Sequence, residues 1–209
     1  MLLPQRIPHL AGLELFPFYR SAREVGGDYY DLVPVDREHL GIVVADVSGK
    51  GVQGSLVMAM MRSTLRSLAP GRGSTRQVMS LVNSIMARDL KPGTFVTVLY
   101  LLLDVPRREL LISSAGHNPL VLVRAGAVHT INPGGIAVGF DKGPLFDQTI
   151  EEKRLRLEPG DLVVGYTDGV VEAMDGARQE YGAERFYQYC AAHGVESPQV
   201  FVEGLVADL

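Results

Sequence analysis

Apolar positions along the chain recur in two rhythms. LELFPFYR (13–20) and YYDLVPV (29–35) read as strands, with Pro17 and Pro34 suited to sheet edges or strand ends because proline donates no ladder hydrogen bond. LGIVVAD (40–46) is a short, nearly continuous apolar run, the pattern of a strand covered on both faces, and it stops at the turn Ser48-Gly49-Lys50-Gly51. VQGSLVMAMMRSTLRSL (52–68) mixes small and apolar residues as a helix does and ends at Pro70-Gly71. A second helix is predicted over 75–88, with Ser74 as its N-cap and Pro92-Gly93 closing it.

The middle of the chain reads as β structure. FVTVLYLLLD (95–104), ELLISSA (109–115) and PLVLVRAG (119–126) are separated by Pro106-Arg107-Arg108 and Gly116-His117-Asn118, each short enough for a hairpin. AVHTIN (127–132), QTIEEKRLRL (148–157) and DLVVGYTD (161–168) continue the signal, and helices follow at about 182–192 and 198–208. The order of strands, two helices, strands and helices predicts a layered α+β fold with antiparallel sheets rather than a βαβ alternation. No repeat, low-complexity tract or linker divides the 209 residues, so one domain over 1–209 is expected.

Composition narrows the function classes. With 46% hydrophobic and 21% charged residues the chain can bury a core, which argues against general disorder. A net charge of −4 leaves no reservoir of positive charge for a phosphate backbone, so no nucleic-acid partner is expected. The single cysteine, Cys190, allows neither an intramolecular disulfide nor a cysteine-based zinc site and suits a reducing cytoplasm. No apolar run approaches the ~18 residues of a membrane span. The prolines of MLLPQRIPHLAG interrupt what a signal peptide needs unbroken, and no membrane contact is expected from this chain.

Three clusters carry candidate chemistry. In Glu24-Val25-Gly26-Gly27-Asp28-Tyr29-Tyr30-Asp31, period-two geometry puts Asp28 and Tyr30 on one strand face and Tyr29 and Asp31 on the other. Alone, that is an ordinary turn. In Ala45-Asp46-Val47-Ser48-Gly49-Lys50-Gly51, a carboxylate closes a buried strand before a glycine-rich turn and a helix. A helix start of this kind can bind anions, yet the Walker spacing is absent and the Rossmann frame is missing. Asp46 as a simple strand-end cap stays open. In Tyr166-Thr167-Asp168-Gly169-Val170 an apolar strand again ends in Asp-Gly, with Glu172 close behind. Three strands that each present an aspartate beside glycine place carboxylates where they repel unless cations neutralise them. Mg²⁺ or Mn²⁺ takes oxygen ligands of this kind, and no histidine cluster competes. His9, His39, His129 and His193 have no partners in sequence and read as surface or packing residues. Met58, Met60 and Met61 read as core, with a partner acting on their helix left open; Tyr166 also reads as core.

Taken together, EVGGDYYD (24–31), ADVSGKGVQGSLVMAMM (45–61), SAGHNP (114–119) and YTDGVVEA (166–173) resemble the successive motifs of the SpoIIE/RsbU-type bacterial serine phosphatases, members of the PPM class of metal-dependent type 2C protein phosphatases. The resemblance runs in order over nearly the whole chain. It implies a four-layer α-β-β-α sandwich of two antiparallel sheets flanked by helices, with a centre of two Mn²⁺ or Mg²⁺ ions at one end. Asp28 matches the first metal aspartate, Asp46 the one that bridges both ions, Val47 the backbone carbonyl that follows, and Asp168 the aspartate of the Asp-Gly motif. Two such ions deprotonate a bridging water for in-line attack on a phosphoryl group, with no phospho-enzyme.

The resemblance also implies a substrate, a phosphoserine on a STAS-type anti-sigma-factor antagonist within a partner-switching pathway. Arg23, Lys50 and His117 are candidate phosphate or substrate contacts; the alternatives are solvated charges for the first two and turn chemistry for His117-Asn118. Ser48 stands where eukaryotic members commonly carry a histidine that protonates the leaving group. Leu2-Leu3-Pro4 resembles the end of a segment that follows a sensor domain in relatives, so a piece of a longer protein is expected. The family's closing Asp-Asp-x-Thr strand has no counterpart before Leu209, and Asp208 takes no ligand role, so one ion is expected to bind weakly or be absent. A pseudophosphatase or binding module with the same fold is the alternative function, and a small-molecule or nucleotide phosphohydrolase a third. The oligomeric state, including a homodimer, stays open.

Overall fold

The computed structural model describes residues 3–4, 6–20, 27–49 and 51–209. In chain order the elements are β1 (Tyr29–Pro34), β2 (His39–Val47), α1 (Val52–Leu68), α2 (Thr75–Asp89), β3 (Val96–Asp104), β4 (Glu109–Ala115), β5 (Leu120–Arg124) and β6 (Ala127–Ile131). They continue with α3 (Pro144–Thr149), β7 (Lys153–Arg156), β8 (Leu162–Val164), α4 (Asp168–Val171), α5 (Ala183–His193) and α6 (Pro198–Asp208). The class is α+β, with two antiparallel sheets flanked by helices, as expected. The chain forms two compact units: residues 1–6, 20–117 and 133–157, and residues 7–19, 118–132 and 158–209.

The first unit holds a sheet of order β1-β2-β3-β4-β7. β3, an almost unbroken apolar run, is buried on both of its faces. Helices α1 and α2 cover one face: Met61 and Leu65 of α1 and Val82 and Met86 of α2 pack with Tyr29, Val43, Val98 and Tyr100 in one cluster. The α2 start behaves as its sequence says. Ser74 accepts from the Gln77 N–H, and Glu152 accepts from the Ser74 and Thr75 hydroxyls and the Arg76 N–H, satisfying donors that a helix start leaves open.

The second unit has a sheet of order β6-β5-β8 and an aromatic core. Phe186 and Cys190 of α5 and Phe201 and Leu205 of α6 pack on Val121, Val123 and Leu162, with Tyr166 and Tyr181. The Tyr166 and Phe186 rings lie 4.5 Å apart in a tilted arrangement. Cys190 is buried, and desolvation pushes its thiol up to about 12, so it is not a reactive nucleophile.

Four strand expectations are corrected. Residues 13–20 form no strand beyond a bridge between Leu10 and Leu13, because Pro17 interrupts the donor row and Phe18 stays exposed. Residues 148–157 divide: Pro144 starts the short helix α3, and β7 keeps only the last part. β8 stops at Val164, and Asp168 opens α4 instead of ending a strand. Gly116-His117-Asn118 is not a hairpin. β4 already has β3 and β7 on its two sides, so the chain leaves that sheet and β5 pairs with β6 and β8. The Pro106-Arg107-Arg108 hairpin joins β3 to β4 as expected. Among the described residues no helix is long and apolar enough to cross a membrane.

Candidate active site

The ladder between β1 and β2 sets Tyr29 opposite Ala45, so the next step beyond it puts Asp28 opposite Asp46. Tyr29, Ala45 and Val47 alternate toward α1 and α2, which leaves Asp28 and Asp46 on the other face of the sheet. Gly27 makes this approach close. A Cβ there would lie 3.0 Å from the Val47 carbonyl oxygen, 3.1 Å from Asp46 Oδ1 and 3.3 Å from the Gly49 carbonyl oxygen. Three oxygens therefore converge on space that a side chain would fill.

The turn after Asp46 is held just as tightly. A Cβ on Gly54 would sit 2.6 Å from the Gly49 carbonyl oxygen, and Gly51 has a φ of +72°, so the first turn of α1 packs against the turn through glycine alone. Ser48 pins the other side: its hydroxyl donates to the Phe95 carbonyl at 2.9 Å and accepts from the Phe95 N–H at 2.7 Å. The Ser48 hydroxyl thus holds backbone.

Asp168 follows β8 and Thr167, and its carbonyl accepts from the Glu172 N–H at 2.8 Å as α4 begins. A carboxylate oxygen of Asp28 lies within 4.8 Å of one of Asp46, and both residues are half-buried. In the second unit Asp168 is half-buried as well. An all-oxygen donor set suits Mg²⁺ or Mn²⁺ rather than zinc or copper.

The remaining candidates separate. His117 is buried, with Nδ1 2.9 Å from Thr97 Oγ1, and the Thr97 hydroxyl donates to the Asp46 carbonyl at 3.4 Å. Arg23 and Lys50 lie outside the described residues, as does Glu24. His39 sits between Asp36 and Asp104, and His193 pairs with Glu196 and stacks on Tyr189. Asp208 accepts from Tyr181 Oη at 2.6 Å and pairs with Arg185 at 2.9 Å, so it is engaged where it stands. Sequence reasoning missed the partners of Asp31, a fully buried carboxylate that Arg66 grips in bidentate fashion at 2.6 Å. An aspartate on the inward face of a strand was the available signal; its arginine lies 35 residues away.

The fold is that of PP2C-type phosphatases. The SiaA-PP2C domain of Pseudomonas aeruginosa superposes with a TM-score of 0.74 at 22% identity over 88% of this chain and 72% of its own. RsbX in complex with magnesium does so with a TM-score of 0.63 at 15% identity, over 92% and 84%. The family model for SpoIIE, Stage II sporulation protein E, matches residues 36–209, and the chain belongs to that family, the SpoIIE/RsbU-type phosphatase domains of the PPM class. Asp46 and Asp168 fall inside the match; Asp28 precedes it. Protein IcfG of Synechocystis sp. is 27% identical over 91% of this chain and 34% of its own length. Phosphoserine phosphatase RsbU of Bacillus subtilis is 27% identical over 82% of this chain and 50% of its own. The chain thus spans half or less of these curated relatives.

Proposed function

We propose that the chain is a metal-dependent protein serine/threonine phosphatase that removes phosphate from phosphoserine on a STAS-domain antagonist in a cytoplasmic partner-switching pathway. The observation that carries this reading is the convergence of Asp28, Asp46 and the Val47 carbonyl at the end of the β1–β2 ladder, around the space that Gly27 leaves free. Asp28, Asp46 and the Val47 carbonyl, with Asp168 as the family resemblance implies, would hold two Mn²⁺ or Mg²⁺ ions. When bound, the ions supply an activated water and neutralise phosphoryl charge. The strand pair holds Asp28 and Asp46 in a fixed relation, and the glycines of the turn keep side chains out of the space above them. His117, with Nδ1 2.9 Å from Thr97 Oγ1, orients Thr97 beside the Asp46 backbone. Ser48, held by Phe95, is not the general acid, so leaving-group protonation falls to water.

A protein substrate fits better than a small molecule. Directly after the Asp46 turn, Val52 and Leu56 stand one helical turn apart and are 75% and 63% exposed. Support also comes from the relatives named for phosphoserine phosphatase activity and from the neighbour that carries magnesium. The deciding experiment measures phosphate release from phosphorylated STAS-domain antagonists with and without Mn²⁺, for the wild type and Asp46→Asn. Mn²⁺-dependent release by the wild type alone is expected. Folded wild-type protein that releases nothing from these substrates or from p-nitrophenyl phosphate would favour a binding module instead.

A further inference from the structure

Asp31 lies three residues beyond Asp28 on β1, on the face turned toward α1, and is fully buried. Arg66 Nε donates to Oδ2 at 2.6 Å and Arg66 Nη2 to Oδ1 at 2.6 Å. Tyr29 Oη donates to Oδ2 at 2.5 Å, the Leu32 N–H to Oδ1 at 2.9 Å, and Arg62 Nε stands 4.0 Å from Oδ2. Burying a carboxylate so completely carries a large desolvation cost, and such pairs add little stability over packed apolar side chains. What a bidentate fork does supply is fixed geometry.

That geometry matters because β1 is the edge strand of its sheet. Among the described residues, ladder hydrogen bonds restrain it from the β2 side only. Its second restraint is the contact with α1, and α1 itself begins at the turn that follows Asp46. The connections form a closed ring: β2 runs through the turn into α1, Arg66 of α1 grips Asp31 of β1, and β1 returns to β2 through the ladder. Asp28 and Asp46 sit at the end of that ring where strand and turn meet. We propose that the Asp31–Arg66 pair is a positioning device that sets the Asp28 carboxylate against Asp46 and thereby sets the affinity of the site for divalent cations. The inference rests on the metal-site reading above.

The test is Mn²⁺ binding, read from the electron paramagnetic resonance signal of the free ion, together with thermal melts. The proteins are the wild type, Arg66→Met, Arg66→Lys, Tyr29→Phe and, as a control, Val33→Ala on the same buried face. Arg66→Met is expected to weaken Mn²⁺ about tenfold, the low end of what losing an outer partner costs a metal site. Arg66→Lys, which keeps the charge and loses the fork, should fall between it and the wild type, and Tyr29→Phe should be nearest the wild type. Val33→Ala should lower the melting temperature and leave Mn²⁺ affinity unchanged. If Arg66→Met does not fold, Arg66→Lys decides. Wild-type affinity in the Arg66 variants, or an equal loss in Val33→Ala, overturns the positioning role while the metal site stands. A folded wild type that binds no Mn²⁺ overturns the metal site itself and the inference with it.

Discussion

In the first unit Asp28 and Asp46 belong to neighbouring strands, β1 and β2, six and nine residues long and joined by a continuous ladder. In the second unit Asp168 follows a strand of three residues and opens a helix of four. The ladder fixes the first two carboxylates through backbone, one register step at a time. Asp168 has no such ladder; the Tyr166 ring two residues before it packs on Phe186, and the Gly182 N–H donates to the Val171 carbonyl at the end of α4. The cores differ in the same sense: aliphatic and methionine side chains under the long strands, aromatic rings around the short one. A carboxylate can be placed by strand pairing or by packing, and the two supports fail under different substitutions.

The largest expected effect is on the ladder-borne carboxylate. Asp46→Asn should lower kcat on the order of 10⁴-fold, as when one member of a group acting as a unit is removed. Its melting temperature should hold or rise, because one negative charge leaves the cluster. Phosphatase assays at saturating Mn²⁺ beside calorimetry check both, and near-wild-type turnover would remove Asp46 from the site. Next comes the packing support. Phe186→Ala, at a fully buried position, should cost about 3–5 kcal/mol in calorimetry or denaturant titration. If packing places Asp168, this variant should also raise the Mn²⁺ concentration needed for half-maximal activity; a change in stability alone would break the comparison.

A smaller effect is expected at the turn. Ser48→Ala leaves the Phe95 N–H without its hydroxyl partner and should cost about 1–3 kcal/mol. The pH profile of kcat should keep its shape, whereas loss of one limb would return Ser48 to the chemistry. The smallest effect is an ionic one in the second unit. Arg124 donates to both Asp161 oxygens, at 2.8 and 2.6 Å, and holds that carboxyl below its ordinary range. A lowered folded pKa gives stability that is full above the ordinary carboxylate value, about 4, and lost as pH falls through the lowered one. Melts of the wild type and Asp161→Asn should therefore differ at pH 6, and the gap should begin to close only below about pH 4. A constant gap would mean that Asp161 acts through shape rather than charge.

Signals that span one turn or a few residues were legible in the chain itself. Ser74 caps α2, Pro106-Arg107-Arg108 joins a hairpin, the 96–104 run is buried on both faces, and the aspartates at 28, 46 and 168 stand out beside their glycines. Each depends on spacing, side-chain type or backbone freedom, which are local properties. Tertiary structure decided the rest. A tripeptide suited to a hairpin sends the chain to another sheet because both sides of β4 are taken. Ser48 meets Phe95 across 47 residues, and Asp31 meets Arg66 across 35. Asp168 opens α4 instead of ending a strand, because β8 already stops at Val164. Such pairings turn on which donors, edges and buried faces remain open once the sheets have formed, and that is a property of the folded chain as a whole.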